Sequence, residues 1–141
     1  MMISTKGRYA LRILLDIAQM AGTEYVSLAD VAGRQEISMK YLEAIVANLA
    51  KAGLVESKRG KAGGYRLART PDVCTVADVV RAAEGSIAPV ACPECDGSTC
   101  TRAGKCLTVD LWKELDNMIE DYLSGVTLAD LLARAEDREQ K

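Results

Sequence analysis

The chain has 141 residues, 18 Lys/Arg against 20 Asp/Glu, 49% hydrophobic residues, five cysteines and no histidine. That length suits one domain, or one small domain with an appendage, and the composition is globular rather than disordered. The missing histidine excludes the Ser-His-Asp triad, the Cys-His pair, the HExxH zinc protease and the two-cysteine, two-histidine zinc finger, which leaves metal binding to thiolate, carboxylate or backbone.

Met1 to Arg8 carries basic residues without a long apolar stretch or a cleavage site. No apolar run approaches the ~20 residues that span a bilayer. A cytoplasmic protein with no membrane partner is therefore expected, in which thiols stay reduced and clustered cysteines point to metal. Tyr9, Ala10, Ile13, Leu14, Ile17 and Ala18 recur three and four apart, which predicts an amphipathic helix over 5–21. Ser27 and then Ser38 are N-caps for two further short helices, separated by a turn at Gln35-Glu36-Ile37. The second runs through Leu42, Ile45, Val46 and Leu49 to about Ala52, with Gly53 as its C′ residue.

Two short helices around a tight turn make a helix-turn-helix pattern. Strands over 55–59 and 65–69 flank the turn Gly60-Lys61-Ala62-Gly63-Gly64, forming a basic hairpin that reads as a wing. Arg59 beside the glycines suits the narrow minor groove, where negative potential is focused. Residues 1–70 hold 11 basic and 6 acidic residues, a net of +5, whereas residues 71–141 hold 7 and 14, a net of −7. Only the first half is suited to a polyanion.

Thr75 and Asp78 open a short helix that ends at Gly85. Helical period returns from about Cys106 in Leu107, Leu111, Leu115, Met118, Ile119 and Tyr122, and Trp112 and Leu123 widen the apolar surface beyond one side. Either the helix is fully buried, or one side covers its own domain and Leu111, Leu115, Met118, Ile119 and Tyr122 meet a second copy. A last short helix starts at Thr127, and the charged end from Glu136 should fray.

Between these helices lie Cys92, Cys95, Cys100 and Cys106, spaced C-x2-C-x4-C-x5-C. Thiolates are soft ligands, so an iron–sulfur cluster and zinc are the candidates, with a thiol sensor as a third reading. The x5 gap is loose for a second zinc knuckle and compatible with a cluster. Cys74 stands apart and reads as a buried structural thiol. No catalytic constellation is visible, so an enzyme is not expected.

Ile3-Ser4-Thr5-Lys6-Gly7-Arg8-Tyr9-Ala10, Ile37-Ser38-Met39-Lys40-Tyr41-Leu42-Glu43, Gly53-Leu54-Val55 and Arg59-Gly60-Lys61-Ala62-Gly63-Gly64-Tyr65 resemble the Rrf-two family of winged-helix transcription regulators. The likeness continues through Glu84-Gly85, the cysteine loop and Lys105-Cys106-Leu107-Thr108-Val109-Asp110-Leu111-Trp112, and covers about residues 1–132. It is most like the branch of iron–sulfur cluster regulators, IscR, with some features of the cysteine-metabolism repressors, CymR.

The resemblance implies a homodimer on double-stranded operator DNA. Ser38, Lys40, Tyr41 and Glu43 would face the major groove, Arg59, Gly60 and Lys61 the minor groove, and Lys6 and Tyr9 phosphate. It implies a cluster on Cys92, Cys100 and Cys106, [2Fe–2S] by analogy with [4Fe–4S] open. Val109 stands where the IscR branch has a histidine ligand, and Cys95 is the substitute. Arg8 stands where nitric-oxide sensors of the family have an acidic ligand.

The combined reading is a mainly α chain. A winged helix-turn-helix over 1–70 is followed by a connecting helix and linker over 71–91 and a cysteine-rich cluster-binding loop over 92–106. A dimerisation helix and terminal helix occupy 107–135, with a frayed tail over 136–141. The function implied is cluster-dependent control of iron–sulfur assembly or cysteine and sulfur metabolism genes. The alternative is a CymR-like repressor controlled by a regulatory protein partner or thiol oxidation, its loop holding structural zinc. An electron-transfer protein would have cysteines without the wing.

Overall fold

The computed structural model describes residues 3–21, 24–90 and 106–139. Six helices and one hairpin make it up: α1 (Thr5–Ala21), α2 (Leu28–Gln35), α3 (Met39–Lys51), β1 (Val55–Lys58), β2 (Gly64–Leu67), α4 (Val76–Glu84), α5 (Val109–Ser124) and α6 (Leu128–Glu139).

Helix starts follow local capping chemistry. The Ser27 side chain accepts from the Asp30 N–H, and that of Ser38 from the Tyr41 N–H, each satisfying a backbone donor that the first turn leaves free. Thr75 and Asp78 form a reciprocal capping box on α4, and Thr127 and Asp130 exchange the same pair of bonds at α6. Gly53, at φ 75°, follows α3 in the left-handed conformation that helix ends favour.

The main core joins Ala10, Ile13, Leu14 and Ile17 of α1 to Leu42, Ile45, Val46 and Leu49 of α3, with Val31, Leu54, Val79 and Leu128 between them. Cys74 is buried in this core as expected, and burial, aided by Asp78 and opposed by Arg69, pushes its thiol pKa up. A smaller cluster gathers Val76, Ala77, Val80, Ile87 and Val126.

The hairpin is antiparallel, with Val55 opposite Leu67 and Lys58 opposite Gly64. Strand β1 ends one residue sooner than expected, ahead of the turn at Gly60, φ 109°, and β2 spans Gly64–Leu67 where 65–69 was expected. Val26 extends the hairpin by one bridge, exchanging two 2.8 Å backbone bonds with Tyr65. Gly64 permits this approach: a Cβ there would lie 2.2 Å from the Val26 carbonyl oxygen.

Helix α5 starts at Val109, later than the apolar period suggests, and Leu107 lies in the preceding turn almost fully exposed. No residue of α5 is buried within the single chain, so the fully buried alternative is wrong. Helix α6 keeps its geometry to Glu139, past the point at which charge density predicts fraying. Among the described residues, no helix is long and apolar enough to cross a membrane.

Candidate nucleic-acid interface

Helix α3 presents its N-terminal turns to solvent. Ser38, Lys40 and Glu43 are exposed, while Tyr41 is half-buried against Tyr9 of α1, their rings edge to face with centroids 5.8 Å apart. Aromatic pairs favour that geometry, so the contact sets the start of α3 beside α1. Arg12 lies 5.0 Å above the Tyr9 ring. Lys6, one turn earlier on α1, is exposed. The structure thus gathers Lys6, Tyr9 and Arg12 on the helix that contacts Tyr41. Positive charge here meets an exposed helix start whose free N–H groups also favour anions.

Arg59, Gly60 and Lys61 are exposed at the tip of the hairpin. The tip conformation requires glycine at position 63, where a Cβ would fall 2.2 Å from the Lys58 carbonyl oxygen. At the hairpin base, Tyr25 lies under two cations, 4.6 Å from the Arg66 guanidinium and 5.8 Å from the Lys58 ammonium. Arg66 also pairs with Glu56 across the strands. Tyr25 was not legible as a wing support, because its partners lie more than thirty residues away in the chain.

The roles of four further residues escaped the sequence reading. Asp16, Arg34 and Gln35 bond α1 to the end of α2. Their signal was a carboxylate set among Ile13, Leu14 and Ile17 on a buried face. Glu84 accepts from the N–H groups of Ser4 and Gly7, each at 2.9 Å, and from the Ser4 hydroxyl. It therefore ties the end of α4 to the start of the helix that carries Lys6. Burial opposes ionisation of Glu84, but the Ser4 hydroxyl, the Gly7 and Ser4 N–H groups and the Lys6 charge outweigh it. They hold the carboxyl below its usual range.

Cys92, Cys95 and Cys100 lie outside the described residues. Cys106 is exposed just ahead of α5, its Sγ 3.2 Å from Thr108 Oγ1. The Trp112 indole N–H donates to the same hydroxyl at 3.2 Å. Among the described residues, no three carboxylates, thiols or imidazoles converge on one point. Along α5, Leu111, Leu115, Met118 and Tyr122 form one exposed stripe, and Ile119 is half-buried beside it.

A helix-turn-helix with a basic hairpin beside it defines a winged-helix DNA-binding protein. The chain belongs to the Rrf2 family, whose model, described as an iron-dependent transcriptional regulator, matches residues 3–134. IscR of Aliivibrio salmonicida, a helix-turn-helix transcriptional regulator, is 42% identical over 94% of this chain and 77% of its own. The structure of IscR from T. potens superposes with a TM-score of 0.78 at 39% identity, covering 98% of this chain and 90% of that one. CymR of B. subtilis, the global cysteine regulator of that organism, gives 0.76 at 36% identity, covering 95% and 98%. The protein is an IscR-like DNA-binding transcription regulator and not an enzyme.

Proposed function

We propose that the chain is a cytoplasmic homodimer whose operator binding answers to an iron–sulfur cluster held by Cys92, Cys95, Cys100 and Cys106. A [2Fe–2S] centre is favoured over [4Fe–4S] by likeness to IscR. The observation that carries this reading is the four-cysteine spacing ending at Cys106, two residues ahead of the α5 cap. Four thiols without imidazole are a donor set suited to soft metal centres. When bound, the cluster supplies a group sensitive to iron, oxygen or nitric oxide, and its gain or loss is the signal.

The remaining roles belong to the chain. Cys106 ties the loop to the start of α5. The stripe of Leu111, Leu115, Met118 and Tyr122, with Ile119 at its edge, meets a second copy. A helix-turn-helix dimer then reads two half-sites. Ser38, Lys40, Tyr41 and Glu43 face the major groove, Arg59, Gly60 and Lys61 the minor groove, and Lys6 and Tyr9 phosphate. The genes under control are those of iron–sulfur assembly or of cysteine and sulfur metabolism.

Likeness to CymR supports a second reading: a repressor governed by a partner protein or thiol oxidation, with zinc on the cysteine loop. Anaerobic purification followed by iron, acid-labile sulfide and zinc analysis of one sample separates them. Coloured protein containing iron and sulfide supports the first reading. Colourless protein with about one zinc per chain, as an all-cysteine structural site holds, sinks it in favour of the second.

A further inference from the structure

Asp16 is the buried charged side chain among the described residues, only 4% exposed on the core face of α1. Its oxygens accept from Arg34 Nε at 3.1 and 3.2 Å, from Arg34 Nη2 at 2.7 Å and from Gln35 Nε2 at 2.8 Å. Arg34 and Gln35 are the last two residues of α2. From one turn earlier on α1, Arg12 donates to the Gln35 side-chain oxygen at 3.1 Å and to its backbone carbonyl at 2.5 Å. Gln35 is thus held by two residues of α1 at once.

The next residue is Glu36, at φ 56° and ψ 45°. Among the described residues it is the one non-glycine with a positive φ. A side chain with a Cβ is strained in that region, and such strain persists where the surroundings over-determine it. Here the surroundings are the held carbonyl before it, the Ile37 N–H bonded back to Ala32 at 3.2 Å, and the buried Ile37 side chain. Ser38 then caps α3. The strained residue is the bend that sets the angle between α2 and the helix carrying Ser38, Lys40 and Glu43.

An ion pair that buries its carboxylate is a poor stabiliser in itself, because desolvating Asp16 offsets much of its attraction to the exposed Arg34. Its directional bonds fix geometry instead. We propose that Asp16 and Arg12 are positioning residues for DNA reading: by clamping Gln35 they hold the Glu36 bend and so the angle of α3 in the groove. Asp16, buried in the core, acts through the end of α2 and the bend that follows it.

The test separates positioning from folding. The wild-type chain selects a duplex from a random-sequence pool. Affinities for that duplex and for poly(dI-dC) are then compared in Asp16→Asn and Gln35→Met, at one salt concentration and well below each melting temperature. Gln35→Met keeps the charge, removes the side-chain bonds to both Asp16 and Arg12, lies outside the surface assigned to DNA and keeps the test open if Asp16→Asn does not fold. The selected duplex should bind about tenfold more weakly to each folded variant, the cost of roughly one lost base contact. Binding to poly(dI-dC), which rests on charge, should hold. Asp16→Asn makes the chain more positive, so a charge effect alone would tighten both. A chain that merely unfolds loses both affinities in proportion. An unchanged ratio between the two DNAs in the folded variants overturns the proposal.

Discussion

A Cβ added to Gly7 would lie 2.9 Å from Glu84 Oε1, the same atom that accepts the Gly7 N–H. Glycine at position 7 is therefore what lets the end of α4 grip the start of α1. The obstructing atoms, Glu84 Oε1 and Ile3 Cγ2, both at 2.9 Å, belong to side chains, so Gly7→Ala displaces Glu84 and Ile3 rather than breaking the helix. Gly7→Ala and Glu84→Gln should each cost about 1–2 kcal/mol, in the range of hydrogen bonds to a charged group, and the double variant well under the sum. Denaturant titration of the four proteins checks this. Full additivity would mean the two residues do not act as a unit.

The same carboxylate gives a pH dependence. Glu84 titrates below its unfolded value, so its contribution is complete above the unfolded pKa and is lost as pH falls through the folded one. Wild type should therefore lose stability in acid more steeply than Glu84→Gln. Melting temperatures measured from neutral pH downward should converge, and parallel curves would contradict the assignment.

At the wing, Gly63→Ala and Gly64→Ala would each set a Cβ 2.2 Å from a backbone oxygen, of Lys58 and Val26 respectively. Backbone cannot step aside as Glu84 can. Gly64, at φ 146°, adds a conformational cost of about 1–3 kcal/mol. Both variants should bind DNA more weakly with the helical circular dichroism retained. Lys6→Ala should lower the salt dependence of DNA binding by about one phosphate contact while the fold stays intact. Glu43→Gln, by contrast, should strengthen non-specific binding and relax base choice at one position of the half-site. A selection experiment reads out the last effect directly.

Met118 and Tyr122 are 68% and 63% exposed on α5, and the helix buries no residue within its own chain. Met118→Glu should yield a monomer in sedimentation, with unchanged helical content and much weaker operator binding. A dimer that survives this substitution places the contact elsewhere.

The local features of the fold were legible in the sequence. Ser27, Ser38 and Thr75 announce helix starts because a cap bonds the backbone three residues on. The wing glycines and the excess of apolar residues on α5 are likewise local signals. Leu107 misled because it fits the helical period, yet it precedes the first turn and lies open. The bonds that tie α1 to α2 and α4 were hidden, since Arg34 is 18 residues from Asp16 and Gly7 is 77 from Glu84. Periodicity marks which face of α1 is buried. It does not say which distant donor will satisfy a carboxylate placed there.

Trp112 is the one tryptophan of the chain, and its indole N–H shares Thr108 Oγ1 with the Cys106 thiol. Its fluorescence should change when the cysteine loop is loaded with iron and sulfide, and should no longer respond in Cys106→Ala.

The most direct measurement is operator affinity of the anaerobic protein before and after cluster removal, with Cys106→Ala alongside. Cluster loss should change affinity for at least one selected operator by about 5–150-fold, the usual span of a coupling energy between sites, and Cys106→Ala should match the cluster-free value. Identical affinities for the loaded, stripped and Cys106→Ala proteins at every operator would contradict cluster sensing.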